Sequence, residues 1–146
     1  GCCREQNAAW KHLGVESRMT TDRQTSPILL RNTLAFDRQQ VAEFKRAIVN
    51  AVEFANRHAP QLMVQTYVDD ENGLCYSFQL FQDSEAVLRH WQVSDPSIAE
   101  VMKYCVIRSM EVYGDASKAV RDGILNAVGN ASVSFTPAFV GFSRLG

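Results

Sequence analysis

Leu74-Cys75-Tyr76-Ser77-Phe78-Gln79-Leu80-Phe81-Gln82-Asp83-Ser84-Glu85-Ala86-Val87-Leu88-Arg89-His90-Trp91-Gln92-Val93-Ser94-Asp95-Pro96 carries two hydrophobic periods in succession. From Leu74 to Phe81 the side chains alternate. Leu74, Tyr76, Phe78 and Leu80 point one way, Cys75, Ser77, Gln79 and Phe81 the other, as in a strand. Asp83 then caps a helix that holds Val87, Leu88 and the adjacent pair His90-Trp91. Ser94-Asp95-Pro96 breaks that helix and restarts another, with proline at its first position, running to about Tyr104. A helix that directly follows a strand in this way lies across a small sheet. It can aim an imidazole and an indole at a cavity, or bury both as core.

Working outward, Gln61–Val68 is a second alternating run, joined to the first by Asp69-Asp70-Glu71-Asn72-Gly73, whose Asn-Gly step supplies turn chemistry. Upstream, Ile28–Phe36 reads as a strand. Asp37 with Gln40 three residues on reads as a capping box. Val41, Phe44, Ile48, Ala51, Val52 and Ala55 then form one helical stripe that stops by Pro60. Downstream, Val106–Tyr113 is a strand ended by Gly114. Ala116–Val128 is a helix with Val120, Ile124 and Val128 on one side and Gly123 weakening it. Ser132–Ser143 is a last strand, and Pro137 predicts an edge or bulged position for it. Residues 1–26 stand apart as an N-terminal arm, with a short helix over Arg4–Leu13. Pro27 opens the domain proper, 27–146.

The order strand–helix–strand–strand–helix–strand predicts an α+β, ferredoxin-like antiparallel sheet with its helices on one face, extended by one more helix and strand. On strand parity the other face carries Arg31, Thr33, Gln65, Tyr67, Ser77, Gln79, Ser109, Glu111 and Tyr113, mixed with Leu29, Met63, Phe81 and Ile107. Such a face is too apolar to leave wet and too polar for a core. A second copy of the chain packed against it would enclose a lined cavity, so a homodimer is expected. Arg108 falls by parity among Val106, Met110 and Val112, which marks either a strand end or a register irregularity.

The chain has 146 residues, 46% of them hydrophobic, with 15 basic and 16 acidic residues and a formal charge of −1. That suffices for one core. The charges are dispersed, without a basic stripe, which argues against nucleic acid as a partner. No apolar run approaches the ~20 residues that span a bilayer, and a cytoplasmic protein without membrane contact is expected. Cys2 and Cys3 have no CxxC or HxxxH companions. Cys75 and Cys105 fall in or beside strands and read as buried thiols. His12 and His58 lack carboxylate or His neighbours at ligand spacing, so no metal site is expected. The acidic hairpin tip, Asp69 to Glu71, lacks the alternating ligands of a calcium loop. GxGxxG, GxxxxGK and GxSxG motifs are absent.

Residues from about 28 to 113 resemble the antibiotic biosynthesis monooxygenase-like family of the dimeric α+β barrel superfamily. The residues that carry the resemblance are Phe81-Gln82-Asp83-Ser84-Glu85-Ala86, then His90, Ser94 and Pro96. The resemblance implies a homodimer with sheets facing each other around pockets. For some members it implies oxidation of hydroxylated aromatic polyketides to quinones by oxygen, without metal, flavin or haem. Haem-degrading relatives are similar in an Asn on the first strand, here Asn32, and in a Trp and a His in the second helical region. Their Trp lies well before the His, whereas Trp91 follows His90 directly, and adjacent helical positions diverge by about 100°. Asn32 moreover shares the parity of Leu30, Leu34 and Phe36, the helix-facing side.

His90 is the candidate catalytic residue. An imidazole that titrates near neutrality can act as a base toward a phenol or enol. A helix-end His bonded to backbone or water is the structural alternative. Trp91 can stack on a flat aromatic ligand or anchor the core. Tyr67, Tyr113 and Gln79 lie on the expected pocket face and could bind substrate. Arg31, on the same face, could hold an anionic group or pair with Glu111 across a subunit interface. Two functions follow. One is a cofactor-independent monooxygenase of a small hydroxylated aromatic or polyketide-like molecule. The other is a non-catalytic small-molecule-binding or dimerisation module on the same fold.

Overall fold

A computed structural model describes residues 26–144. The expectations for the arm, its helix, His12, Cys2 and Cys3 lie outside the described residues. Five strands form one sheet: β1 (Ile28–Phe36), β2 (Met63–Asp69), β3 (Leu74–Phe81), β4 (Cys105–Tyr113) and β5 (Ser132–Thr136), in the order β2-β3-β1-β4-β5. All neighbours are antiparallel except β4 and β5. Helices α1 (Val41–His58), α2 (Ser84–Val101) and α3 (Lys118–Val128) contribute their apolar stripes to one face of the sheet. The fold is the α+β, ferredoxin-like arrangement that the element order implied, with α3 and β5 extending it.

Local chemistry sets most boundaries. Asp37 caps a single 3₁₀ turn before α1 begins, its side chain accepting from the Gln39 amide at 2.9 Å and its backbone carbonyl from the Gln40 amide at 2.9 Å. Asp83 caps α2 by accepting from the Ala86 amide at 2.9 Å. α3 begins at Lys118 rather than Ala116, with Ser117 as its cap accepting from the Val120 amide at 3.3 Å. Gly73 closes the β2–β3 hairpin at φ +65°, a conformation that disfavours a β-carbon. The last strand ends at Thr136, before Pro137, and is an edge strand.

The break expected at Pro96 does not occur, and α2 runs through it unbroken. A helical proline forfeits one bond, to the carbonyl four residues back, here Gln92. Gln92, Asp95 and Pro96 are all exposed, while His90, Ser94 and Val101 are buried. Water can serve the orphaned carbonyl, and burial on both sides of the proline holds the helix together.

Two assignments of residues to sheet faces are corrected. The β1–β3 ladder pairs Ile28 with Phe81, Leu30 with Gln79, Asn32 with Ser77 and Leu34 with Cys75. Cross-strand partners share a face, so Ser77, Gln79 and Phe81 lie under the helices, not on the open side. Cys75 and Phe81 are fully buried there. The second correction lies on β4. Thr33 pairs with Ser109 but Leu34 with Ile107, so Arg108 is the extra residue of a β-bulge. The bulge resets the parity and turns Ile107 toward the helices, where it packs against the core. The open face therefore carries Leu29, Arg31 and Thr33, with Met63, Gln65, Tyr67, Tyr76, Phe78, Leu80, Ser109, Glu111 and Tyr113.

The core divides in two. One cluster gathers Ile28, Leu30, Phe81, Val87, Val112 and Ile124; the other gathers Leu34, Phe36, Phe44, Cys75 and Val101. Cys75 and Cys105 are buried, and desolvation pushes both thiols up to about 11. They behave as small hydrophobes rather than nucleophiles.

Candidate functional site

Ile107 packs against both clusters, and the space between them over the sheet is not filled. A cavity of about 410 Å³ lies there, with Leu30, Leu34, Val101 and Met110 in its walls. Its floor is the helix-facing side of β1 to β4, its roof is α1 and α2, and Gly123 and Ala127 of α3 close one flank. Protein interiors pack to crystal-like density, so a void of this size is a feature of the fold rather than slack. It matches the size of small-ligand sites.

Most of the lining is apolar, and the polar groups gather on one side. Asn32 sits midway along β1 with Ser77 as its partner on β3 and Thr66 beyond it on β2, so a polar row crosses the floor. A chain of side-chain bonds begins there. Gln79 Nε2 donates to Ser77 Oγ at 3.4 Å, and Gln61 Nε2 donates to Gln79 Oε1 at 3.1 Å. Gln61 Nε2 also lies 3.0 Å from His90 Nδ1, and Ser94 Oγ lies 2.9 Å from the same nitrogen. Two carbonyl oxygens of this group, Asn32 Oδ1 and Gln61 Oε1, are buried with no hydrogen-bond partner.

His90 is buried, and its ring tilts against Phe81 at 5.5 Å. Burial lowers its pKa from 6.5 to about 4, with Asp95 opposing the shift. The imidazole is thus neutral at pH 7. The Gln61 amide presents N–H to Nδ1, which fixes Nδ1 as an acceptor and leaves the ring proton on Nε2.

The sequence-derived candidates divide by the face they occupy. His90, Trp91 and Gln79 line the cavity. So does Asn32: its helix-facing parity, which had set it apart from the expected pocket, places it in the actual one. Arg31, Tyr67 and Tyr113 stand on the opposite face of the sheet. Arg31 forks onto Glu111 within one chain, Nε to Oε2 at 3.1 Å and Nη2 to Oε1 at 3.2 Å, not across a subunit boundary. Tyr67 meets Phe78 edge-on at 5.8 Å. Gln61 and Ser94 were missed. Ser94 had a detectable signal, since residues four apart share a helix face and Ser94 follows His90 at that spacing. Among the described residues no group of three or more His, Cys, Asp and Glu is placed to hold a metal ion. No described helix is long and apolar enough to cross a membrane.

No family model and no curated protein matches the sequence. Solved structures do match the fold. MupZ from Pseudomonas fluorescens is 13% identical at a TM-score of 0.65, covering 82% of this chain and 95% of its own. A proposed antibiotic biosynthesis monooxygenase from Caulobacter crescentus CB15 is 17% identical at 0.54, covering 70% and 99%. SnoaB from Streptomyces nogalater, a cofactor-independent oxygenase, is 11% identical at 0.52, covering 64% and 96%. The chain thus has the fold of antibiotic biosynthesis monooxygenase-like proteins.

Proposed function

We propose that the chain is a cofactor-independent monooxygenase that takes a small hydroxylated aromatic or polyketide-like molecule into the cavity between sheet and helices. The observation that carries this reading is the pairing of an apolar cavity with two buried, unpartnered carbonyl oxygens, Asn32 Oδ1 and Gln61 Oε1. Unmet buried acceptors cost stability, and a ligand with an apolar body and hydroxyl donors on one edge would satisfy both. SnoaB, of the same fold, is a cofactor-independent oxygenase.

In this reading His90 is the base. Losing its hydroxyl proton makes a phenol electron-rich enough to reduce oxygen directly. For a simple phenol, one oxygen atom then ends in the new quinone carbonyl, and the other leaves in water with two substrate hydrogens. The low pKa of His90 does not forbid this step. The shift from 6.5 to about 4 corresponds to roughly 3 kcal/mol. An imidazolium and a phenolate about 5 Å apart attract by roughly 3 kcal/mol at an effective dielectric of about 20. The ion pair formed on proton transfer thus offsets the desolvation that disfavours the imidazolium.

Asn32, His90 and Trp91 around one cavity would also suit the haem-degrading relatives. In those relatives the Trp lies well before the His, whereas Trp91 directly follows His90, and this departure favours the oxygenase reading.

The open sheet face, with Tyr67, Val106 and Tyr113 exposed, is the surface we assign to a homodimer. Arg31, Tyr67 and Tyr113 then serve that interface rather than the substrate. Oxygen uptake over a panel of hydroxylated aromatics, with and without a chelator, tests the assignment. Uptake that survives chelation and is lost in His90→Ala supports it. A panel that binds without uptake would instead mark a non-catalytic binding module.

A further inference from the structure

His90 Nδ1 is the unprotonated nitrogen of the ring, yet it is not open to a ligand. Ser94 Oγ at 2.9 Å and Gln61 Nε2 at 3.0 Å already occupy it. The Gln61 amide cannot carry a proton onward, because its N–H groups are committed to His90 and to Gln79 Oε1. Ser94 differs. Its hydroxyl donates to Nδ1, and its oxygen keeps lone pairs to accept with. The residue is buried, and it also lines the cavity.

On the reading that His90 is the base, we propose that Ser94 is the catalytic residue that takes the proton from the substrate hydroxyl and passes its own to His90. The substrate O–H bond breaks as a new O–H forms on Ser94 Oγ. The original Ser94 O–H breaks as N–H forms on Nδ1. The electron pair stays on the substrate oxygen, Ser94 is regenerated, and the imidazolium carries a proton on each nitrogen, its new Nδ1–H donating to Ser94 Oγ while the Gln61 N–H gives up its bond to Nδ1. The unbroken helix through Pro96 has a use here. A helix restarting at that proline would have drawn Ser94 into capping, whereas the continuous one holds it a turn beyond His90 on the same face.

The relay predicts an effect on ionisation that is separate from affinity. 4-Nitrophenol, whose phenolate absorbs in the visible, is bound without oxygen near pH 6 by the wild-type chain, Ser94→Ala, Ser94→Thr and His90→Ala. Thermal melts verify that each variant is folded. The expected result is that the wild type shifts the bound probe toward phenolate by about tenfold. Ser94→Ala should lose that shift as His90→Ala does, while its Kd for the neutral probe weakens by no more than the roughly tenfold that one lost hydrogen bond costs. Ser94→Thr, which keeps a hydroxyl, should restore it. Full ionisation of the probe by Ser94→Ala would overturn the relay and leave His90 as a base that reaches substrate unaided. A wild-type chain that binds the probe only as the neutral phenol would overturn the base chemistry itself, and the relay with it.

Discussion

The Trp91 indole lies against the backbone of Gly123, where an added β-carbon would stand 2.5 Å from Trp91 Cζ3. That contact explains a glycine inside α3, where helix propensity disfavours it by about 1 kcal/mol. Both residues line the cavity, so their packing sets its width on that flank. Gly123→Ala should push the indole toward the ligand space. Overpacking costs roughly 1–3 kcal/mol and outweighs the gain in propensity. Urea melts should show a net loss of up to about 2 kcal/mol. Binding of two-ring phenols should weaken more than binding of one-ring phenols, and equal weakening would mean that Trp91 does not limit the cavity.

Asn32 stands between Leu30 and Leu34 on the helix-facing side of β1, with Oδ1 buried and unpartnered. An unpaired buried acceptor costs about 1–3 kcal/mol, so Asn32→Leu should stabilise the empty protein by about 1 kcal/mol. The same change should weaken a phenolic ligand about tenfold. Calorimetry with and without ligand separates the two effects. A variant that is less stable and binds unchanged would show that Asn32 serves packing alone.

The fold was legible where the sequence pattern is local. Ile28–Phe36 and Leu74–Phe81 stand at the residues where alternation placed them, because Pro27, Asp37 and the Asn72-Gly73 turn bound them chemically. The assignment of faces failed because alternation says which residues share a side, not which side is covered. Ser77 and Gln79 look like solvent residues on one strand alone. Only their pairing with Asn32 and Leu30 puts them inside, where hydrogen bonds satisfy them. Arg108 signalled the bulge through its misfit, but one misplaced arginine does not fix a register. His90 and Trp91 were legible as a pair. The Gln61 and Ser94 partners were hidden, one in a strand approach, the other beside a proline.

Burial makes His90 a source of acid sensitivity. Its folded pKa of about 4 lies below the unfolded 6.5. The unfolded chain therefore binds the proton first, and stability falls as pH drops from 6.5 toward 4. The full difference is on the order of 3 kcal/mol. Melts of wild type and His90→Gln across that window should converge or cross as pH falls, since the variant lacks this slope. Parallel curves would mean that His90 titrates normally in the folded protein.

The proposed interface sits on the face opposite the cavity, so association and ligand binding should separate. Val106 is 63% exposed and Tyr67 is 56% exposed on that face, unusual for large apolar and aromatic side chains on a sheet. Replacing both with glutamate places four like charges across a two-fold interface, which is costly on association and nearly neutral in the free chain. Light scattering should show the wild type at twice the chain mass and the double variant at the chain mass, with ligand affinity kept within a few-fold. Loss of binding together with dissociation would mean that the partner completes the cavity. A monomeric wild type would remove the homodimer and leave this face to another protein.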